Sequence, residues 1–238
     1  MKLLALDTST EACSAALWLN GAVRERYEVL GRGHAERILP MVDELLVEAG
    51  LALNALDGIA FGRGPGAFTG VRIATAVAQG LALGADLPVV PVSDLAAVGL
   101  QALDRGGNQW GSVSLEAWVC LDARMGEVYH ALVVPDEALL ARVVGAEGVS
   151  APDTLVLSAP RAGVRRVGVG HGFSAYPQWA QQVGQPLDAV WVDMLPRASA
   201  VARLGAALWA TGLQLPAEQA QPVYVRDQVA SQSTKRKP

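Results

Sequence analysis

Leu3-Leu-Ala-Leu-Asp7, Thr8-Ser9-Thr10-Glu11-Ala12, Cys13-Ser-Ala-Ala-Leu-Trp-Leu19 and Asn20-Gly21 form the stretch from which the fold is read. Two apolar runs flank a hydroxyl-rich turn, and the second run ends at Asn-Gly. That dipeptide is the strongest short-range hairpin signal, because both of its residues tolerate the positive φ that a tight turn demands. Residues 22–30 should therefore return antiparallel. Downstream, Ile38, Leu39, Val42, Leu45, Leu46 and Ala49 recur at helical spacing up to Gly50. A strand at 58–61, a glycine-rich loop, a helix over 69–83, a strand at 88–92 and a helix capped by Ser93 follow. The order is βββαβαβα.

After a polar, glycine-rich break at 104–111, the pattern starts again. Strands are expected at 114–121, 127–134 and 139–144, then a short helix near 152–157 and a strand at 165–169. A helix at 174–183, a strand at 189–192 and a last helix at 197–211 complete the second pass, with Pro196 at the edge of that helix. An antiparallel meander that continues into parallel crossovers implies a mixed sheet, and here it occurs twice. The expected class is α/β: a duplicated βββαβα-type, actin-like ATPase (ASKHA, ribonuclease H-like) fold in two lobes. The lobes are placed at 1–105, carrying a partner or dimer surface, and 106–228, with a flexible basic tail at 229–238.

Composition narrows the function. Of 238 residues, 51% are apolar and 18% charged, against about 25% charged in an average soluble domain. Mean hydropathy is +0.27. This excludes disorder, and a net charge of −4 leaves no broad footprint for nucleic acid. The weakly polar stretch 73–85 falls short of the roughly 18 apolar residues that a spanning helix needs, and Asp7 interrupts the N-terminal run too early for a signal peptide. Cys13 and Cys120 read as two buried thiols in a reducing, cytoplasmic setting. The apolar excess is Ala, Leu, Val and Gly. It means either a dense small-residue core or surface buried by another molecule, and the small residues along the 69–84 helix favour the second.

Four segments could carry chemistry. Asp7-Thr8-Ser9-Thr10 ends the first strand, where such residues also serve ordinary turns. Gly62-Arg63-Gly64-Pro65-Gly66-Ala67-Phe68-Thr69-Gly70-Val71-Arg72 joins a strand to a helix, where backbone N–H groups can face an anion. No Lys-Ser/Thr pair follows these glycines, so it is not a P-loop. A meander precedes it, so it is not a Rossmann turn either. Asp122-Ala-Arg124-Met-Gly-Glu127 is a charged turn between strands. Gly168, Gly170 and Gly172 alternate at a strand end. His34, His130 and His171 are too scattered for a metal site, and no metal is expected.

The segments Asp7-Thr-Ser-Thr-Glu-Ala-Cys13, His34-x-x-x-Ile-Leu-Pro40, Gly64-Pro-Gly-Ala-Phe-Thr-Gly-Val-Arg-Ile73, Asp122-Ala-Arg-Met-Gly-Glu-Val-Tyr129 and Pro222-Val-Tyr-Val-Arg226 together resemble the bacterial TsaB (YeaZ) family. The resemblance runs from residue 3 to about 229. It implies a non-catalytic, activating subunit of the TsaD–TsaB–TsaE machinery. That machinery transfers a threonylcarbamoyl group to A37 of ANN-decoding tRNAs. Implied partners are a TsaD-like catalytic paralogue, a TsaE-like ATPase and tRNA through the complex, with a homodimer when the chain is alone and no membrane. No cofactor of its own is implied, although ATP or ADP at a subunit interface is a candidate. TsaD-like proteins carry a metal-binding histidine pair four residues apart; the matching positions here are Asp94 and Val98, which cannot form that pair.

The expected partner surface lies on helices near 36–49 and 69–84, through Leu39, Val42, Leu46, Ala74, Ala78 and Leu81. Val42→Glu is expected to abolish the complex while leaving the monomer folded. Candidate nucleotide or interface contacts are Asp7, Gly64, Gly66, Arg72, Arg124 and Glu127. The alternative reading is a stand-alone actin-like-fold ATPase or small-molecule kinase using Asp7, Gly64, Gly66 and the 168–172 turn. A dinucleotide-dependent oxidoreductase stands third.

Overall fold

A computed structural model describes residues 1–157, 161–182 and 187–226. The tail at 229–238, and Val183 of the expected 174–183 helix, lie outside the described residues. Strands β1 (Lys2–Asp7), β2 (Ala12–Leu19), β3 (Ala22–Val29), β4 (Gly58–Gly62) and β5 (Val89–Val92) form one sheet in the order β3-β2-β1-β4-β5. Strands β6 (Leu115–Arg124), β7 (Glu127–Asp136), β8 (Leu140–Ser150), β9 (Arg165–Val169) and β10 (Ala189–Trp191) form the second, in the order β8-β7-β6-β9-β10. In both, the first three strands pair antiparallel and the last two add in parallel. The ribonuclease H-type topology thus occurs twice, as the duplicated actin-like fold requires. The Asn20-Gly21 signal marks a true turn: both residues have positive φ, and Leu19 pairs with Ala22.

Helices α1 (His34–Ala49) and α2 (Phe68–Ala85) cover the outer face of the first sheet. Leu4, Leu6, Leu17, Ile59 and Phe61 from the strands meet Ile38, Met41, Val42, Leu45 and Leu46 of α1 and Ala78 and Ala82 of α2. Val42, Leu46, Ala74 and Ala78 are therefore core residues, which corrects their expected place in a partner surface. At every third or fourth position they lie on the stripe of each helix that faces the sheet. Helix α2 begins at Phe68, one residue before its expected start, and its 18 residues have a mean hydropathy of 1.2. By length and composition alone it could cross a membrane, the single such helix among the described residues. A third of it is buried on the sheet beneath.

The last helix of each half crosses to the space between the sheets. Helix α3 (Asp94–Trp110) packs on β6, β7 and β8, and α6 (Ala198–Ala210) packs on β1, β2 and β4. The expected boundary at 105/106 and the polar break at 104–111 therefore fall inside or at the end of α3. Gly106 sits there because a Cβ would overlap Leu115 of β6. A Cβ on Gly99 would likewise overlap Val133, and one on Gly205 of α6 would lie 2.6 Å from the Ala60 methyl. The interior between the sheets is built largely of alanine, including Ala5, Ala16, Ala60, Ala97, Ala117 and Ala202. Small side chains let backbones approach closely, so much of the apolar excess is a dense core of the chain's own, not surface awaiting a partner.

The second half's outer layer is thinner than expected. The helix near 152–157 is a single 3-10 turn at Pro152–Thr154. The helix at 174–183 is two pieces, α4 (Gly172–Ala175) and α5 (Pro177–Gln182). Pro177 breaks it, because a residue preceding proline is pushed out of the α region. Tyr176 accordingly has φ −128° and ψ 66°.

Candidate functional site

Every segment singled out in the sequence comes to one cleft of about 710 Å³ between the two halves. The β1–β2 turn (Thr8 to Glu11), the starts of α1 and α2, the turn after β6, His171 and residues 223–226 form its walls. The glycine-rich loop between β4 and α2 is pressed onto the β1–β2 turn. The Ala67 N–H donates to Ser9 O at 2.7 Å, and Thr8 Oγ1 donates to Gly70 O at 2.6 Å. A Cβ on Gly70 would overlap Thr8 O, and one on Gly66 would lie 2.5 Å from Ser9 O. The glycines are therefore there for close approach, as are Gly170 and Gly172, which rest on the Cys120 carbonyl.

Beneath the loop lies a pair of fully buried acids. Asp7 ends β1, and Asp94 opens α3 just after β5; these strands flank β4, so both carboxyls meet over Gly62 at its end. A Cβ on Gly62 would overlap Asp7 Oδ2 and Asp94 Oδ1 together. Asp7 Oδ1 accepts from the Ser9 N–H at 3.1 Å and the Ser9 hydroxyl at 3.2 Å. Asp94 Oδ2 accepts from the Gly64 N–H at 2.6 Å. Burial raises the Asp7 carboxyl above its ordinary range, and burial together with the Asp7 charge raises Asp94 well above it. Sequence reading placed Asp94 only as a failed metal position. The signal that could have found the pair is two acids at the carboxyl ends of strands that flank a third.

Residues 221–226 cross the cleft as a strap. The Val223 N–H donates to Arg63 O at 2.7 Å, and Tyr224 Oη accepts from Arg72 Nε at 2.7 Å. The Arg72 guanidinium lies 3.7 Å over the Phe68 ring. At the far end Arg226 pairs with Glu127 and donates to Ala123 O at 3.2 Å. Of the six expected contacts, Gly66 and Arg124 line the cleft, and Arg124 pairs with Asp122 at 3.0 Å. Asp7, Gly64, Arg72 and Glu127 do not line it: Asp7 and Gly64 are packed beneath the loop and strap, and Arg72 and Glu127 hold the strap itself.

The cleft offers hydrogen-bond donors. Neither α1 nor α2 has a side-chain cap on its N-terminus, and both start on the cleft wall. His34 Nε2, His171 Nδ1 and Arg226 Nε are buried there without a partner among the described residues. Burial lowers the His171 pKa below the ordinary imidazole range. Among the described residues, no group of three or more His, Cys, Asp or Glu side chains is placed to hold a metal. On the outer side of α1 and α2, Leu39, Val47, Phe68 and Leu83 are exposed and Leu81 is half-buried.

Comparison with known proteins agrees along nearly the whole chain. The family model for TsaD, tRNA N6-adenosine threonylcarbamoyltransferase, matches residues 28–166. The tRNA threonylcarbamoyladenosine biosynthesis protein TsaB of Escherichia coli K12 is 39% identical over 230 residues, spanning 97% of this chain and 96% of that one. The Haemophilus influenzae TsaB is 39% identical over 236 residues, with 96% and 95% covered. The solved structure of YeaZ from Pseudomonas aeruginosa superimposes with a TM-score of 0.83 at 44% identity, covering 94% of this chain and 99% of that one. With the duplicated fold, the glycine loop and this coverage together, the chain belongs to the TsaB (YeaZ) family of tRNA threonylcarbamoyladenosine biosynthesis proteins.

Proposed function

We propose that this chain is the non-catalytic, activating subunit of a cytoplasmic complex that modifies A37 of ANN-decoding tRNAs with threonylcarbamoyl. Its partners in this reading are a TsaD-like catalytic paralogue and a TsaE-like ATPase, with tRNA engaged through the complex. The observation that carries the reading is the end-to-end match to TsaB proteins. The outer face of α1 and α2 supplies the docking surface: Leu39, Val47, Phe68 and Leu83 are exposed while their helices' inner faces are fully committed to the sheet. Gly80 and Gly84 leave open space for a second helix pair to approach on that face. The same face accounts for self-association when the partner is absent.

Nucleotide has a place in this reading. The uncapped starts of α1 and α2, with the unpaired donors of His34 and Arg226, suit the phosphates of ADP or ATP at the cleft, beside the docking face. The chain's own contribution is binding and orientation; the transferase chemistry belongs to the paralogue.

Reconstitution of tRNA modification from purified components tests the proposal, and omitting this chain should abolish product. Val47→Glu and Leu83→Glu should then remove co-elution with the catalytic paralogue while leaving the fold intact. Val42→Glu should instead unfold the chain, because it places a charge in the core. Retained co-elution of both surface variants would overturn the docking face, and robust nucleotide turnover by the isolated chain would restore the stand-alone ATPase reading.

A further inference from the structure

We propose that Asp7 and Asp94 share one proton and that this proton latches the glycine loop, and with it the start of α2, to the body of the protein. Both carboxyls are wholly buried. Each spends one oxygen on local donors: Asp7 Oδ1 on Ser9, and Asp94 Oδ2 on the Gly64 N–H. The other two oxygens face one another over Gly62, and no N–H or hydroxyl among the described residues donates to them. Two ionised carboxylates cannot stay there, because their repulsion adds to the cost of burying each charge. A single proton on Asp94 Oδ1, donated to Asp7 Oδ2, satisfies both of these otherwise unpartnered oxygens.

The proton closes a ring of contacts. Gly64 hangs from Asp94 through its N–H, and its carbonyl accepts from the Asp94 N–H at 3.1 Å. Ala67 hangs from Ser9 O, in the turn that Asp7 holds. Both ends of the loop therefore depend on one carboxyl–carboxyl bond, and α2 begins immediately after it. The other groups that feel the pair are Arg63 of the loop, which is itself paired with Glu147, His34 at the start of α1, Cys13 of β2 and Tyr27 of β3. None of them supplies a donor to the facing oxygens. The effect of the latch on partner docking rests on the docking face proposed above; the titration does not, so the two can fail separately.

Asparagine separates the shared proton from a merely buried pair. In D94N the amide donates to Asp7 while its oxygen still accepts from Gly64, so the bridge survives without a titrating proton. The folded wild type holds one proton that the unfolded chain releases at the ordinary carboxylate range. Its stability is thus full below that range and is lost as pH rises towards the pair's raised value. Over that window the wild-type folding constant should fall tenfold per pH unit relative to D94N. The double variant D7N/D94N sets two amide donors face to face and should be less stable than either single variant. Denaturant titrations from pH 5 to 8, with amide exchange across residues 64–70, read both effects. Parallel wild-type and D94N curves would overturn the latch. Should D94N fail to fold, the carboxyl ¹³C shifts of the wild type decide: one protonated aspartic acid at pH 7 supports the latch, and two carboxylates overturn it.

Discussion

The two halves share one strand order but end their central strands in opposite chemistry. In the first sheet Gly62 pairs with Val92, and Asp7 follows the last β1–β4 pair, so the strand ends present an acid, a glycine and a second acid just beyond. At the corresponding points of the second sheet the residue that follows the last β6–β9 pair is the buried Cys120, and its neighbour Gly170 packs on the Cys120 carbonyl. Their outer layers differ in the same sense. Two helices of 16 and 18 residues close the first half over a large cluster. The second has helices of four and six residues over a cluster whose fully buried members are Cys120, Phe173 and Trp179. A duplicated topology thus constrains the backbone but not the division of labour. The first half carries the polar latch and a broad helical face, and the second half supplies the opposite cleft wall and half of the shared core.

The sharpest way to break this contrast is to fill the space that the two acids of the first half share. Gly62→Val should cost roughly 4 kcal/mol or more, or prevent folding, because its side chain overlaps both acids; denaturant unfolding checks this. Next in size is a comparison of outer layers. Leu45→Ala under α1 should cost about 3 kcal/mol. Phe173→Ala should cost less than the roughly 3–5 kcal/mol usual for a core phenylalanine. Around it α4 and α5 can open locally, so amide exchange over residues 172–182 should quicken more than the global midpoint moves.

The smallest expected effect concerns how the outer helix of the first half is tied down. Arg37 pairs with Glu28 and Glu44, and Arg26 with Glu44 and Glu48, stitching α1 to β3. Hydrogen bonding to Arg37 holds the Glu44 carboxyl below its ordinary range. A depressed folded value means stability that is present above the ordinary carboxylate range and lost as pH falls through the lowered one. Arg37→Ala should therefore flatten the acid limb of the stability curve, and more so at low salt, where surface pairs are less screened.

Much of the fold was legible in the chain. The Asn20-Gly21 turn, the spacing of Ile38 to Ala49 and the strand-to-helix order of the first half emerged where expected, because they depend on near neighbours. Legibility failed where distant segments meet. The glycines at 106 and 107 looked like a break between domains, yet they are the last turns of a helix against Leu115. Val42 and Ala78 lie on the apolar stripes expected of them, but which side of a stripe meets the sheet and which meets a partner is not written in its period. At the site, the five segments that carry the family resemblance were all found in sequence, while the pairing of Asp7 with Asp94, 87 positions apart in the numbering, was not.

By itself, then, the stretch from Leu3 to Gly21 and its echo further along determined a duplicated mixed-sheet protein, since turn chemistry and side-chain periodicity are local properties of the backbone. The tertiary structure alone decided three further things. It carried α3 and α6 across to the opposite sheets. It turned the alanine-rich excess mostly inward, leaving Leu39, Val47, Phe68 and Leu83 outside. It also set two acids over one glycine. Each depends on which remote surfaces fit at van der Waals distance and on which buried charges must be shared, and neither is a property of any single window of sequence.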